Sequence, residues 1–305
     1  MRAVDYFSGA GGWSTGARLV GLRVSDAVNH WKRSVETHRA NHPETTHHCQ
    51  DAGLLDPRKL ARPDVFLASP ECLGHTPARG KEQPHHDDSR STAWCVTRFA
   101  ELVRPRLLLV ENVKEFRSKW VLYPQWKACL EALGYAVSEN LLDAADFGVA
   151  QERVRLIVVG VRGARRAPVL RPPRSALRLR AIDVIDFSAG RWSPVAAHVE
   201  KTRARAAAGR ARFGDRFLMP YYGKGSGTTG RDLERPIGTL TTRARWAVVD
   251  GDMMRMVSVD ECRAFMGFPP GYILTGDVKE QHHQLGNAVC PPFAAEVLRQ
   301  ALEAA

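Results

Sequence analysis

The 305-residue chain carries 44 Lys and Arg against 33 Asp and Glu, a formal charge of +11, with 44% hydrophobic and 25% charged residues. This composition excludes a disordered or collagen-like chain, and the length admits one large domain with a smaller one attached. No run of about 18 apolar residues occurs, so no membrane span is expected; the first residues lack the apolar core of a secretory signal, so a cytoplasmic protein is expected.

In chain order, residues 3–7 read as a strand. It runs into Phe7-Ser8-Gly9-Ala10-Gly11-Gly12, whose glycines let the backbone turn sharply and approach a ligand closely. A helix over 14–20 would point its N-terminus into the same cleft. The segment is neither a Walker loop nor a full Gly-x-Gly-x-x-Gly, because position 14 is Ser. A second strand over 24–29 ends in Asn29-His30-Trp31, before a helix over 31–41. In a doubly wound sheet a polar residue after the second strand reaches a ribose. An acid such as Asp51 accepts from an adenine amino group, and His30 or Trp31 stacks on the base. Taken singly, these are ordinary surface polar residues.

The strand over 64–68 delivers Ser69-Pro70-Glu71-Cys72 to the ligand edge of the sheet. A polar loop over 74–91 follows, of the kind that acts as a lid. After a helix over 93–103, the strand over 107–112 ends in Glu111-Asn112 at the same edge. A helix over 123–133 and a strand over 136–142 lead to Gln151-Glu152-Arg153-Val154-Arg155, which opens a strand over 154–161 with alternate residues on one face. Short apolar strands alternating with helices predict an α/β fold with a doubly wound, mostly parallel sheet.

Beyond residue 161 the pattern changes. Residues 164–180 are rich in Arg and Pro, which argues against long regular elements, and residues 221–227 read as loop. Arg243-Ala244-Arg245-Trp246 reads as an alternating strand with two arginines on one face. An apolar pattern returns at 257–266, and 292–304 reads as a closing helix. Residues 160–245 hold 19 basic and 6 acidic residues, whereas the remainder holds 25 and 27. One segment therefore carries the whole charge excess. Of the 44 basic residues 35 are Arg, which suits bidentate recognition of phosphate and guanine. A polyanion is the expected partner. The organisation expected is a body of residues 1–165 and 281–305, a basic insert of 166–254, and a hinge of 255–280 that returns to the body. Cysteines at 49, 72, 95, 129, 262 and 290 form no Cys-x-x-Cys pair, so free thiols are expected. His pairs at 47–48, 85–86 and 282–283 do not share a face within each pair, and no metal site is expected.

Six of these segments, in this order, resemble the motifs of the DNA cytosine-5 methyltransferases. The turn over 7–12 is similar to the family's S-adenosylmethionine loop. Pro70-Glu71-Cys72 resembles its Pro-Pro-Cys nucleophile motif. Glu111-Asn112-Val113 matches Glu-Asn-Val, and Gln151 to Arg155 matches Gln-x-Arg-x-Arg. Arg235-Pro236 through Thr239, Thr241 and Thr242 is similar to the motif that closes the target-recognition region. Gly286-Asn287-Ala288-Val289 resembles the last motif, which completes the cofactor pocket.

The resemblance implies a Rossmann-like class I methyltransferase fold with a small target-recognition domain inserted before the C-terminal segment. It implies S-adenosylmethionine as cofactor, held by Phe7, Ser8, Gly9, Gly11, Gly12, Asn29, His30, Asp51, Ala52, Pro70, Asn287 and Ala288. It implies double-stranded DNA as partner, a monomer, and catalysis by Cys72, Glu111, Arg153 and Arg155. The chemistry explains the residue types. C5 of cytosine is a poor nucleophile until a thiolate adds at C6, and Cys combines nucleophilicity with easy later departure. On this reading Arg153 favours the thiolate, Arg155 binds the base carbonyl, and Glu111 protonates or hydrogen-bonds N3. The target base must be flipped out of the duplex. Arg79, Lys81 and Arg90 of the loop, and Arg243 and Arg245 of the insert, are the expected DNA contacts. An insert this short suits a target of about 2–5 base pairs.

Two positions depart from the family pattern. Glu71 stands where the second Pro is common, which changes loop stiffness and sets an acid beside the thiol. Asn29 stands where Glu usually faces the ribose and forfeits a charge-assisted bond. The alternatives are a tRNA cytosine-5 methyltransferase, a related enzyme with an unusual cofactor or target, and a catalytically weak DNA-binding module.

Overall fold

The computed structural model describes residues 1–71, 91–221 and 230–305. Its first half runs β1 (Arg2–Tyr6), α1 (Gly12–Leu19), β2 (Arg23–Asn29), α2 (Lys32–Asn41), β3 (Thr46–Cys49), β4 (Val65–Ala68), α3 (Trp94–Val103), β5 (Leu107–Asn112), α4 (Lys114–Lys119), α5 (Tyr123–Ala132), β6 (Tyr135–Asp143) and β7 (Val154–Arg162). These strands form one seven-stranded sheet in the order β3-β2-β1-β4-β5-β7-β6. β1 to β5 are parallel, and β7 runs antiparallel to both β5 and β6.

Burial follows from the strand sequences. Val65-Phe66-Leu67-Ala68 and Leu107 to Asn112 are buried throughout, as strands covered on both faces must be. Alternate residues feed two cores. Ala3, Val65, Leu67, Leu107 and Leu109 face α1 and the C-terminal helix. Val4, Tyr6, Phe66, Ala68, Leu108 and Val110 face α3 and α5, where the Phe66 and Phe99 rings stack at 3.8 Å. The connections leave β1 toward β2 on one side and toward β4 on the other, so the switch point lies at the carboxyl end of β1, where doubly wound sheets bind ligands.

The second half runs β8 (Ser193–Pro194), α6 (Glu200–Phe213), β9 (Arg216–Pro220), β10 (Trp246–Asp250), β11 (Met253–Met256), α7 (Val259–Phe265), α8 (Val278–Asn287) and α9 (Pro291–Ala304). The four strands form a separate antiparallel sheet in the order β8-β11-β10-β9. α6 packs on it through Ala206 against Phe217, Met219, Ala247, Val249 and Met254. The sequence reading missed β3 and α6. It also placed Arg243 and Arg245 on a strand; the strand begins only at Trp246, and both arginines lie in the irregular stretch before it. The last β9–β10 pair is Pro220 with Trp246, and one further backbone bond follows it, from the Tyr221 N–H to the Arg245 carbonyl. Residues 164–180 contain no helix or strand, as expected. Buried Leu170 anchors this stretch to the large core, and its N–H donates to Asn140 Oδ1 on β6 at 2.8 Å.

α9 returns to lie along α1. A Cβ at Gly16 would stand 2.6 Å from Ala294 Cβ, and one at Gly12 2.0 Å from the Val289 carbonyl oxygen. Only glycine admits this approach, which seats residues 286–289 against the glycine-rich turn. Among the described residues no helix is long and apolar enough to cross a membrane.

Candidate active site

A cavity of about 260 Å³ opens at the carboxyl ends of β1, β2, β4 and β5, at the switch point. Its floor is the turn after β1. Phe7, Gly9 and Gly11 all have positive φ, at 58°, 52° and 87°, and the Gly11 N–H donates to the Ser8 carbonyl at 2.8 Å. The space where a Cβ of Gly9 would point holds only the Phe7 carbonyl at 3.8 Å. α1 starts at Gly12 with no side-chain cap from Gly11, and the Ser14 N–H of its first turn is taken by the Asp5 carboxylate. Ser8 is tied to β2 through its N–H to the Val28 carbonyl.

The β2 side of the cavity is Asn29, His30 and Trp31. Asn29 Oδ1 accepts the Trp31 N–H at 2.9 Å, and the Trp31 ring meets His283 of α8 edge-on at 5.0 Å. Asp51 and Ala52 follow β3 but do not line the cavity. Asp51 is exposed and its Oδ1 accepts the Gly53 N–H, whereas Ala52 is buried in the core beside α3. Gly286 and Asn287 line the far wall; Ala288 is buried behind them.

The β4 and β5 side carries the charged groups. Glu111, buried at the end of β5, accepts from Arg155 Nε at 2.8 Å. Asn112 donates from Nδ2 to the Pro70 carbonyl at 3.0 Å and accepts the Val113 N–H on Oδ1 at 2.8 Å. It thereby fixes the turn two residues before position 72. Trp13 Nε1 holds the same turn through Ser69 Oγ at 3.0 Å. Arg153 is buried, and its guanidinium donates to the carbonyls of Leu240 (3.1 Å), Gly286 (2.8 Å) and Ala288 (3.0 Å). It ties the start of β7 to the end of the insert and to the segment between α8 and α9. Gln151 reinforces the joint, accepting the Leu240 N–H at 2.9 Å.

Cys72, Arg79 and Arg90 lie outside the described residues. Of the described cysteines none lines the cavity. Burial pushes the Cys95 and Cys290 thiols up to about 11 and Cys262 up to about 12, so these are inert at neutral pH. Arg243 is exposed, and Arg245 donates to the Tyr221 carbonyl at 3.1 Å. Among the described residues no group of three or more His, Cys, Asp or Glu is arranged to hold a metal. The sequence reading did not single out Asn112 as a site residue, although its motif was recognised, nor Ser34, His283 and Gln284 of the cavity wall.

A glycine-floored cavity at the switch point, walled by an aromatic ring and opening onto a buried Glu–Arg pair, suits a nucleotide-bearing cofactor and a planar polar substrate. Solved structures share this fold over the whole chain. One, described as a DNA modification methyltransferase encoded within an E. coli prophage, has a TM-score of 0.75 at 17% identity over 100% of this chain and 99% of that one. Another, the S. pombe Dnmt2 methyltransferase, has a TM-score of 0.71 at 16% identity over 99% and 98%. The fold is thus that of the class I methyltransferases. The family model of the C-5 cytosine-specific DNA methylases matches residues 1–185 and 196–303. The chain belongs to that family and is a DNA cytosine-5 methyltransferase. Relatives include the Type II methyltransferase M1.HphI of Haemophilus parahaemolyticus, 27% identical over 98% of this chain and 86% of the relative. The Type II methyltransferase M.HgiDI of Herpetosiphon aurantiacus is 26% identical over 100% and 94%.

Proposed function

We propose that the chain methylates C5 of a cytosine flipped out of double-stranded DNA, through a covalent bond between Cys72 and C6, with S-adenosylmethionine as the donor. When bound, that cofactor supplies an electrophilic methyl group. Phe7, Ser8, Gly9, Gly11 and Gly12 would hold it against the N-terminus of α1, with Asn29, His30, Pro70 and Asn287 around it. Ser8, Gly11 and Gly12 do not line the cavity and are kept for their place in the turn after β1; Ala288, Asp51, whose Oδ1 accepts the Gly53 N–H, and Ala52, buried in the core, are left out.

The observation that carries the reading is the buried Glu111–Arg155 pair beside the Asn112–Pro70 tether. Arg155 occupies one oxygen of the Glu111 carboxyl, and we assign the other, carrying a proton, to N3 of the base. Proton donation at N3 drains the ring and makes C6 electrophilic. Arg155 then lies where it also meets the base carbonyl. The Cys72 thiolate adds to C6, C5 takes the methyl group, a base removes the C5 proton, and elimination frees Cys72. Arg153, whose N–H groups are committed to three carbonyls, is assigned as a positioning residue that adds positive charge to the cavity wall. The insert, proposed as residues 166–254 with a hinge over 255–280, would dock the DNA. The Type II relatives favour duplex DNA over tRNA and a restriction–modification setting.

The test is a duplex carrying 5-fluorocytosine, which cannot release its C5 substituent as a proton. The wild type should form a denaturant-stable adduct at Cys72 in the presence of cofactor, Cys72→Ser should form none while still binding both partners, and excess tRNA should not compete. A binding-competent wild type without an adduct sinks the proposal.

A further inference from the structure

Glu71 and Asn29 both depart from the motif pattern, and both line the same cavity. Asn29 stands at the end of β2, where a doubly wound sheet sets the residue that faces a ribose. Its carboxamide oxygen is committed to the Trp31 N–H. The remaining NH₂ group donates only. A ribose diol carries two hydroxyl hydrogens that need acceptors, and Asn29 has for them only the second lone pair of an oxygen already engaged. Glu71 offers a carboxylate. Its backbone N–H donates to Thr92 Oγ1 at 3.0 Å and the Pro70 carbonyl accepts from Asn112, so the peptide that precedes the Glu71 side chain is held at both its N–H and its oxygen. Its carboxylate oxygen lies 3.9 Å from Nδ1 of His30, the residue next to Asn29. That is too long for a hydrogen bond. The side chain is 34% exposed and lines the cavity.

We propose that the acid of the sugar site has moved across the cavity: Glu71, from the turn after β4, accepts the ribose hydroxyls of the cofactor, while Asn29 donates to the same sugar. This rests on S-adenosylmethionine being the cofactor. It gives the replacement of proline by an acid beside Cys72 a role in binding, and it explains how Asn29 is tolerated.

The test is calorimetric titration of the full chain with S-adenosylhomocysteine and with its 2′,3′-dideoxy analogue, alongside thermal melts. Glu71→Gln should weaken S-adenosylhomocysteine binding roughly tenfold or more, the usual cost of losing a charged acceptor. It should leave affinity for the dideoxy analogue unchanged. Adding Asn29→Glu to that variant should recover part of the loss. Should Glu71→Gln not fold, Glu71→Ala and Glu71→Pro carry the same comparison. Unchanged binding of S-adenosylhomocysteine by the variant, or equal losses for both ligands, overturns the Glu71 assignment and leaves the cofactor reading standing. A wild type that binds neither ligand overturns the cofactor reading and this inference with it.

Discussion

Asp5 shows most plainly what a residue's letter conceals. It sits fully buried on β1 directly beneath the cofactor turn. Its Oδ2 accepts the Ser14 hydroxyl at 2.7 Å, and that hydroxyl lies 2.9 Å from His38 Nε2. His38 Nδ1 is in turn 2.8 Å from His47 Nε2. Burial pushes the Asp5 carboxyl up to about 7, with the Ser14 hydrogen bonds pulling partway back. Burial likewise holds His38 and His42 down, His42 to about 4, with neighbouring positive groups adding to it. The sign for Asp5 is unambiguous. Between its ordinary value of 3.8 and about 7 the folded state binds the proton that the unfolded state has released, so rising pH costs stability across that window. The cost is on the order of 4 kcal/mol by pH 7, at ~1.4 kcal/mol per unit. Asp5→Asn should therefore gain stability over the wild type from pH 5 to pH 8 in urea denaturation, with the gap levelling off above pH 7. A gap independent of pH would refute the shift. In the sequence Asp5 was only the first letter of a glycine-rich turn. Glu111 and Arg155 were legible because motif spacing places them; the Asn112–Pro70 tether and the committed guanidinium of Arg153 were not, because each depends on a partner far away in the chain.

Elements were legible where apolar runs made them so. Strands β1, β2, β4 and β5 match the reading within a residue or so, since a short buried run leaves little choice of register. β3 was missed because Thr46-His47-His48-Cys49 offers no apolar alternation. α6 was missed because its fourteen residues read as a charge run, and its buried face is only Thr202, Ala206 and Gly209. The reversed direction of β7 was invisible for a different reason: an apolar strand looks the same read either way, and only the hairpin with β6 reveals it. The contact of α1 with α9 lies at this scale, and it makes a prediction. A side chain at Gly16 must displace Ala294 Cβ, the Ala295 nitrogen at 2.9 Å and the Pro291 carbonyl at 3.0 Å, two of them backbone atoms. Gly16→Leu gains helix propensity of up to about 1 kcal/mol, but overpacking costs ~1–3 kcal/mol or more. A net loss of stability is expected in thermal melts. Weaker S-adenosylhomocysteine binding should accompany it, because displacing α9 moves residues 286–288 away from the glycine-rich turn. Lost stability with cofactor affinity intact would mean that the helix pair does not shape the cavity.

At the scale of the whole molecule the charge of +11 resolves into two populations. Much of the arginine in the basic segment is already neutralised within the protein. Arg178 pairs with Asp143 and Asp146, Arg180 with Asp183 and Glu234, Arg216 with Asp250, and Arg231 and Arg235 with Glu152. The Glu152 pairs join the segment before β7 to Arg231 and Arg235, beside an open groove that Lys114, Arg155, Arg231 and Trp246 line. Among the described residues of the basic segment, Arg162, Arg165, Arg166, Arg171, Arg174, Arg191, Lys201, Arg203, Arg212 and Arg243 are exposed and form no ion pair, and the last four lie on α6 or next to β10. They are the better candidates for phosphate, because a cation already paired must give up its carboxylate before it neutralises DNA. Each phosphate contact contributes about 0.9 to the slope of log affinity against log salt. Replacing the four by Ala should therefore flatten that slope by up to roughly 3.6 and weaken DNA binding most at low salt. Replacing Arg180 and Arg216 should leave the slope near the wild-type value. Cofactor affinity should hold in both variants, since none of these side chains lines its cavity. A slope that falls in both variants in proportion to the charges removed would show that net charge, and not unpaired surface, draws the DNA.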